Sequence, residues 1–438
     1  MHSEYDLETA LKLRTADTTD TLAFQKPLLL KHLRQAINAP YYSSLFQSLK
    51  LEPEDIQTPN DLDLLPFTRR DHLEQDPTAF QAVPPILFAD LAMTSGTTGT
   101  SIPVPYTTND LHRLAFNECM GFWGAGVRQE DSFLLSVTLD RCFIAGLAYY
   151  SGLIRLGATT IRSGPGQPSR QWEIIRQFKP NSIVGVPTFL LKLATWAQEH
   201  GINPAAHGIQ RIVTIGEPIR RGDFSLTPLG TLLEEAWDAQ LFSSYGATEI
   251  ETAFCDCQAG AGGHIHPEFM IVEIIDEHGN RLPPGRPGEV VVTPLGVEGL
   301  PLLRFQTGDV ARLHTGPCTC GWQTPRLGPI EGRLAQRLKF HGTTLYPETI
   351  FQALQEIPEI QAAYIEVRSS FDLADDIRVV VGSDIPLPES LIAEHLQARL
   401  RVRPKVTVKS KAEVQNTMEL TGGHKPKKFF DLRHEKTI

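Results

Sequence analysis

The sequence predicts an α/β protein of two domains: a large amino-terminal one with mixed sheets and a β-rich subdomain, then a small α+β one. Three observations carry this. The chain has 438 residues, about two to three times the usual domain length. Short apolar runs alternate with amphipathic stretches through residues 91–330, as in proteins built on a largely parallel sheet. Near Gly332-Arg333 both pattern and charge change. Residues 334–438 carry 15 basic and 14 acidic residues, so the acidic excess of a chain with net charge −10 lies before them.

In order along the chain, residues 1–90 read as helical and loop-rich, with a helix over Leu28–Ala36. Strands are expected at Phe133–Val137, Ala158–Ile161, Ser182–Val186 and Arg211–Ile215, with helices at Arg170–Phe178 and Thr188–Glu199. From Phe269 to Pro294 the apolar runs Met270–Ile275 and Gly288–Thr293 flank a Gly279-Asn280 turn, which predicts a β hairpin. After a boundary at 332–335 come a helix (Thr349–Gln355), strands Ala362–Val367 and Ile377–Val381, a helix (Pro388–Arg399) and a strand (Lys405–Val408). The domains are therefore 1–332 and 333–438, with no internal repeat.

Composition narrows the class. Hydrophobic residues at 41% and charged residues at 21% exclude a mostly disordered chain. The 34 glycines and 32 prolines promise many turns but no collagen-like period. An acidic balance disfavours nucleic acid as a partner. The polar, acidic start Met1–Asp6 lacks a signal-peptide pattern, and no apolar run reaches membrane-spanning length. A cytoplasmic location is expected, where clustered cysteines more often bind metal than form disulfides. Of the six cysteines, Cys255 and Cys257 form one pair and Cys318 and Cys320 another; Cys119 and Cys142 stand apart.

The sharpest motif is Met93-Thr94-Ser95-Gly96-Thr97-Thr98-Gly99-Thr100. Its glycines and small hydroxyl residues let backbone N–H groups and Oγ atoms close around phosphate oxygens. It resembles the phosphate-binding loop of the acyl-adenylate-forming superfamily of acyl-CoA synthetases, luciferases and adenylation domains. Further matches follow in that superfamily's order: Tyr245-Gly246-Ala247-Thr248-Glu249, Thr307-Gly308-Asp309, the hinge Gly332-Arg333, and a lysine-bearing carboxyl end. Leu156–Thr159, Gln177–Pro180, Gly216-Glu217-Pro218, Pro317–Gly321, Arg403–Val406 and Phe429-Phe430-Asp431 resemble the phenylacetate–CoA ligase branch. The resemblance spans residues 85–433.

The resemblance implies an adenylate-forming large domain, a small mobile carboxyl-terminal domain, and a role for each matched residue. Thr94, Ser95, Gly96, Thr97, Thr98 and Gly99 would hold the β- and γ-phosphates of ATP. Tyr245 and Gly246 would lie against adenine, with Gly216, Glu217 and Pro218 lining its other side. Thr248 would bind the α-phosphate and Glu249 Mg²⁺, a hard ion that prefers oxygen ligands. Asp309 would accept the ribose hydroxyls, and Arg333 would reach ribose or phosphate. Lys425 is placed as the catalytic lysine, with Lys427 the runner-up. The pattern departs from the family at Thr100 (lysine there), Ala335 (aspartate) and His424 (glycine).

The same branch carries a cysteine, a histidine seven residues on, then Cys-x-Cys-Gly. Here these are Cys257, His264, Cys318 and Cys320, which would form a closed structural zinc site, with Cys255 and His266 as alternative ligands. The acid pocket by resemblance involves Phe143, Ala145, Gly146, Ile215, Ser244 and Tyr245, which suits a planar aryl acid; Asp140 and Arg141 could add a polar contact or lie exposed on the surface. The basic run Arg399, Arg401, Arg403, Lys405, Lys409 and Lys411 reads as a solvated face or a contact for CoA phosphates.

The expected activity is ATP-dependent activation of an aromatic or arylalkyl carboxylic acid and transfer to CoA. Transfer to a carrier-protein thiol or an amine, and a non-catalytic nucleotide-binding homologue, are the alternatives. ATP, Mg²⁺, CoA and structural Zn²⁺ are the expected cofactors, with no nucleic acid or membrane partner; the chain could pair as a homodimer.

Overall fold

Capping aspartates start the first two helices. Asp6 accepts the Thr9 N–H ahead of α1 (Leu7–Thr15), and Asp17 accepts the Asp20 N–H ahead of α2 (Thr18–Ala36). The helix expected at Leu28–Ala36 is thus the second half of α2, which continues past Pro27. Helices α3 (Pro40–Leu49) and α4 (Arg70–Gln75) follow, then an antiparallel hairpin of β1 (Asp90–Met93) and β2 (Pro103–Tyr106). The computed structural model describes residues 5–94, 101–340, 343–369, 375–419 and 426–433. Ser95, Gly96, Thr97, Thr98, Gly99, Thr100, His424 and Lys425 lie outside the described residues.

The alternating region folds as strands and crossover helices. In chain order these are α5 (Thr108–Gly124), β3 (Ser132–Leu135), α6 (Ile144–Leu156), β4 (Thr159–Arg162), α7 (Pro168–Phe178), β5 (Ser182–Gly185), α8 (Pro187–Glu199), β6 (Arg211–Ile215), α9 (Pro228–Trp237), β7 (Gln240–Ala247) and β8 (Thr252–Cys255). The sheet order is β4-β3-β5-β6-β7-β8. All neighbours are parallel except β8, which runs antiparallel to β7. Strand β5 is buried along its whole length and is apolar after Ser182, as a strand covered on both faces is. One face packs on Trp172, Leu190, Leu193, Leu233 and Trp237. The two tryptophan rings stack at 5.5 Å, worth on the order of 1 kcal/mol beyond their buried area.

The β-rich subdomain contains β9 (Gly263–His264), β10 (Met270–Ile275), β11 (Pro287–Pro294), β12 (Phe305–His314) and β13 (Arg326–Leu327), in the order β10-β11-β12-β13-β9. The expected hairpin is the β10–β11 pair, with Met270 opposite Pro294 and Ile275 opposite Glu289.

Contacts divide the chain into two units: residues 1–226, 230–307 and 311–330 in the larger, and 227–229, 308–310 and 331–438 in the smaller. In the smaller unit, β14 (Gly332–Arg333) pairs antiparallel with Asp309 and Val310. The remaining elements are β15 (Leu338–Phe340), β16 (Thr343–Leu345), α10 (Pro347–Leu354), β17 (Ala362–Ser369), β18 (Asp375–Gly382), α11 (Glu389–Leu400), β19 (Lys405–Lys409), α12 (Lys411–Glu419) and β20 (Phe429–Asp431). Their sheet runs β19-β18-β17-β20. Its core is Ile365, Val367, Ile377, Val379 and Val381 against Ile350, Leu354, Ile392 and Leu396. Among the described residues no helix is long and apolar enough to cross a membrane.

Candidate active site

Open α/β sheets present their ligand-binding loops at the carboxyl ends of the parallel strands. Here β6 ends at Ile215 and leads into Gly216-Glu217-Pro218, while β7 ends in Ser244-Tyr245-Gly246-Ala247. Ile215 and Ser244 are register partners on the two strands. The chain turns sharply after β6 because Gly216 sits at φ 82°, where a side chain is strained. Glu217 does not point its acid freely outward: it accepts the Thr188 N–H at 2.9 Å and the Thr188 hydroxyl at 3.1 Å, capping α8.

After β7 the chain makes a short turn, Thr248–Ile250, and reverses into β8. Tyr245 stacks on Phe254, its cross-strand partner, with centroids 5.9 Å apart. The Thr248 carbonyl accepts the Tyr106 hydroxyl at 3.2 Å, which fastens the turn to β2.

The two ends of the phosphate-loop motif are closed by Thr94 and Ile102. Thr94 N–H donates to the Ile102 carbonyl at 3.0 Å, and Ile102 N–H donates to Thr94 Oγ1 at 2.9 Å. A residue that the sequence did not single out joins this base to the β7 turn. Arg70 of α4 donates from Nη2 to Thr94 Oγ1 at 3.1 Å and from Nη1 to Glu249 Oε1 at 2.6 Å, with Nε on Glu74 at 2.9 Å. Glu249 is buried, so this charge-assisted bond is screened less than a surface pair. The motif pattern held no signal for Arg70, since it lies 179 residues from Glu249 in the chain.

The candidate acid pocket is only partly one cluster. Ala145 and Ile215 pack on Val137, Tyr149, Val184, Val213 and Phe242. Tyr149, also not anticipated, donates its hydroxyl to Ser244 Oγ at 3.0 Å. Gly146 is required by packing: a Cβ there would lie 1.8 Å from the Thr138 carbonyl oxygen. Phe143 is half-exposed at the start of α6. Asp140 and Arg141 pair loosely at 3.9 Å with side chains about three-quarters exposed, so they belong to the surface rather than a pocket.

In the smaller unit Asp309 and Arg333 form an ion pair at 3.3 Å across the β-bridge that joins them. Gly332 is fixed by the Tyr346 ring, which a Cβ would approach to 2.3 Å. In the basic run, Arg399 pairs with Glu356, Arg403 with Glu394, and Lys405 with Asp376, as a solvated, salt-bridged face does.

The AMP-binding enzyme family matches residues 41–297 of the chain. A phenylacetate–coenzyme A ligase of Pseudomonas putida is 30% identical over 83% of this chain and 82% of its own. The chain belongs to the phenylacetate–CoA ligase family of AMP-binding enzymes. A second such ligase, from Thermus thermophilus, is 29% identical over 90% of this chain and 92% of its own. The fold matches 2-hydroxyisobutyryl-CoA ligase, crystallised in the postadenylation state, with a TM-score of 0.84 at 20% identity, covering 96% of this chain and 91% of that one.

The ligase also gathers the four residues that the sequence pairs with a metal. One donor atom from each of Cys257, His264, Cys318 and Cys320 lies within 4.8 Å of the others. Cys257 and Cys318 sulfurs are 3.6 Å apart, and Cys320 Sγ is 3.3 Å from His264 Nε2. His264 Nδ1 faces the Thr324 carbonyl at 2.9 Å, so the proton sits on Nδ1 and the Nε2 lone pair turns to the sulfurs. Gly260 at φ 60° and Gly262 at φ 92° make the tight return between Cys257 and His264. Burial pushes the Cys257 and Cys320 thiols up. Cys318 is also raised by burial, but its hydrogen bonds with Cys320 and Cys257 outweigh that and draw it down. Three close thiols and one oriented imidazole fit a divalent, thiophilic ion, whose charge lets all three ionise.

The alternative ligands lie elsewhere. Cys255 faces the β7 side, opposite Ser244, within the cluster around Tyr149. His266 Nδ1 is taken by Arg14 Nη2 at 2.5 Å. Cys255 is the last residue of β8, held in the sheet, whereas Cys257 lies past the end of the strand in the turn that leads to His264.

Proposed function

We propose that this ligase activates an aromatic or arylalkyl carboxylic acid with ATP and Mg²⁺ and transfers the acyl group to CoA. A carboxylate oxygen of the acid attacks the α-phosphorus, the bond to the β-phosphate bridging oxygen breaks, and pyrophosphate leaves. The CoA sulfur then attacks the acyl carbonyl as its thiol proton passes to solvent, and AMP leaves. Negative charge gathers on phosphate oxygens in the first step, so catalysis there is mainly positioning and electrostatic stabilisation.

The observation that carries this reading is the Thr94–Arg70–Glu249 chain of hydrogen bonds. It joins the base of a phosphate-loop motif to the acid of the Tyr-Gly-x-Thr-Glu motif at the end of β7. Glu249 would hold Mg²⁺ through its further acceptor sites, and the ion when bound neutralises phosphate charge. Arg70 would keep Glu249 oriented. Thr248 would bind the α-phosphate, with Tyr245 and Gly216-Glu217-Pro218 flanking adenine. Asp309 would accept the ribose hydroxyls, and Arg333, paired with it, would hold the same region. Lys425 would bring its charge to the acyl-phosphate oxygens. Ala145, Ile215, Ser244 and Tyr149 would shape the acid pocket. The chain cuts functionally at 332/333, with the small domain turning about Arg333–Ala335. Cys257, His264, Cys318 and Cys320 would hold a closed structural zinc with no position for water.

The test is a carboxylic-acid panel read by pyrophosphate release, with products identified in the presence of CoA. Aryl acids should give pyrophosphate, and CoA should give the acyl thioester. Acyl-adenylate without thioester, with turnover restored by a carrier-protein thiol or an amine, overturns the acceptor. Lys425→Ala should lower acid-dependent ATP–pyrophosphate exchange by about a hundredfold or more with ATP binding retained; unaffected exchange rejects Lys425.

A further inference from the structure

Helix α1 docks on the larger unit along one stripe: Ala10, Leu13 and Arg14 are buried while Lys12 and Glu8 pair in solvent. Nine residues make no stable helix alone, so α1 persists by what that stripe touches. Arg14 is the unusual member, with a side chain wholly out of solvent.

Its contacts converge on the cysteine–histidine group. Arginine has no acceptor, so every contact is a donation. Arg14 Nη1 and Nη2 take both oxygens of Glu268, at 2.8 Å and 2.6 Å, and Nη2 also donates to His266 Nδ1 at 2.5 Å. The Arg14 carbonyl accepts the Gln323 N–H at 2.6 Å. The guanidinium lies 5.5 Å from the Trp322 ring centroid. Trp322 in turn sets its ring edge-on to His264 at 5.2 Å, and its backbone N–H donates to Cys320 Sγ at 3.5 Å. Arg14 is thus held by residues two to four positions beyond His264 and by the two residues after Trp322's neighbour Gly321, the segments that a metal on His264 and Cys320 would cross-link.

We propose that α1 and the metal site form one coupled unit, with Arg14 the positioning residue: metal occupancy holds α1 down, and docked α1 tightens metal binding. This rests on the zinc reading above. The physical reason is the cost of an unpaired buried charge. With Arg14 sealed from water, Glu268, His266 and Trp322 must stay in place, because leaving a buried charge unpaired is strongly destabilising. Arg14 Nε already lacks a partner, so little further loss is tolerable. If the metal leaves, its two loops loosen, the partners shift and α1 detaches. Coupling between two binding equilibria is reciprocal, so the factor by which metal protects α1 equals the factor by which α1 retains metal.

The experiment uses the full-length zinc-loaded protein, Arg14→Met, and the double variant Arg14→Met/Glu268→Gln. The double variant removes both charges, so it leaves none buried alone if the single variant fails to fold. Zinc affinity, read by equilibrium competition with a chromophoric chelator, should be about tenfold weaker in the variants than in the parent. Hydrogen exchange of the amides of residues 7–15 in the parent should quicken by a similar factor when zinc is stripped. In the double variant it should be indifferent to zinc. Zinc bound with parental affinity by the double variant, or α1 exchange unchanged on stripping, overturns the coupling alone. Protein that is isolated without zinc and takes none up on titration overturns the zinc site and the coupling together.

Discussion

Arg70 shows how much one side chain can connect. Its planar fork reaches Thr94 Oγ1 and Glu249 Oε1 at once while Nε stays on Glu74. An ammonium is a point charge on a flexible stem and cannot span both oxygens in a fixed geometry. Arg70→Ala is therefore expected to lower kcat/KM for ATP in pyrophosphate exchange by at least about tenfold, and Arg70→Lys to recover only part of it. Steady-state exchange at varied ATP measures this; parental kinetics in Arg70→Ala would remove the residue from the site. The same reasoning reduces Glu217, whose carboxylate is committed to the amino end of α8.

At the scale of elements, glycines set how closely helices approach. Gly146 lets α6 pass beside the Thr138 carbonyl, and Gly152 lets α6 meet α5 where a Cβ would lie 2.4 Å from Glu118 Cβ. Backbone oxygen cannot swing aside as a side-chain tip can, so the Gly146 contact is the stricter. Gly146→Ala should destabilise the protein by about 1–3 kcal/mol through overpacking, read as a lower Tm. An unchanged Tm would mean that the Asp140–Phe143 turn yields. That turn already holds Arg141 at φ 60° and Cys142 at φ 55°, so it has little slack. Gly146 entered the sequence analysis as a pocket residue by resemblance; its packing role came from the fold.

At the scale of the whole molecule, two buried groups should shape stability against pH. Burial pushes Glu118 up to about 8 from an ordinary 4.5, with an opposing hydrogen bond from Asn117. Burial draws His32 down to about 4 from 6.5, with the Leu302 carbonyl opposing. Between 4.5 and 8 the folded chain keeps the Glu118 proton that the unfolded chain has lost, so this contribution falls as pH rises. Between 6.5 and 4 the unfolded chain takes up a His32 proton that the folded chain refuses, so that contribution falls as pH drops. The slopes oppose one another below 6.5; from 6.5 to 8 Glu118 alone of the two acts, and Glu251, also pushed up by burial, adds to its slope. Each proton is worth up to about 1.4 kcal/mol per pH unit. Glu118→Gln should make the alkaline limb of urea-unfolding free energy between pH 6.5 and 8 less steep. The same loss of stability in the variant would show that Glu118 is already ionised.

What the sequence determined is what local order records. Strand β6 and strand β10 stand where apolar runs begin and end, because burial on both or alternate faces leaves a readable period. Ordered motifs marked Thr94, Thr248, Glu249, Asp309, Arg333 and the clustered Cys257, His264, Cys318 and Cys320, and membership of the family followed. What only the tertiary structure decided is which distant side chains meet. Arg70 reaches Glu249 across 179 residues, Tyr149 reaches Ser244 across 95, and Arg14 reaches Glu268 across 254. It also separated Cys255 and His266 from Cys257 and His264. Hydrogen bonds and ion pairs act over about 3 Å, a distance that sequence separation does not encode, so these partners became visible only when the chain had folded.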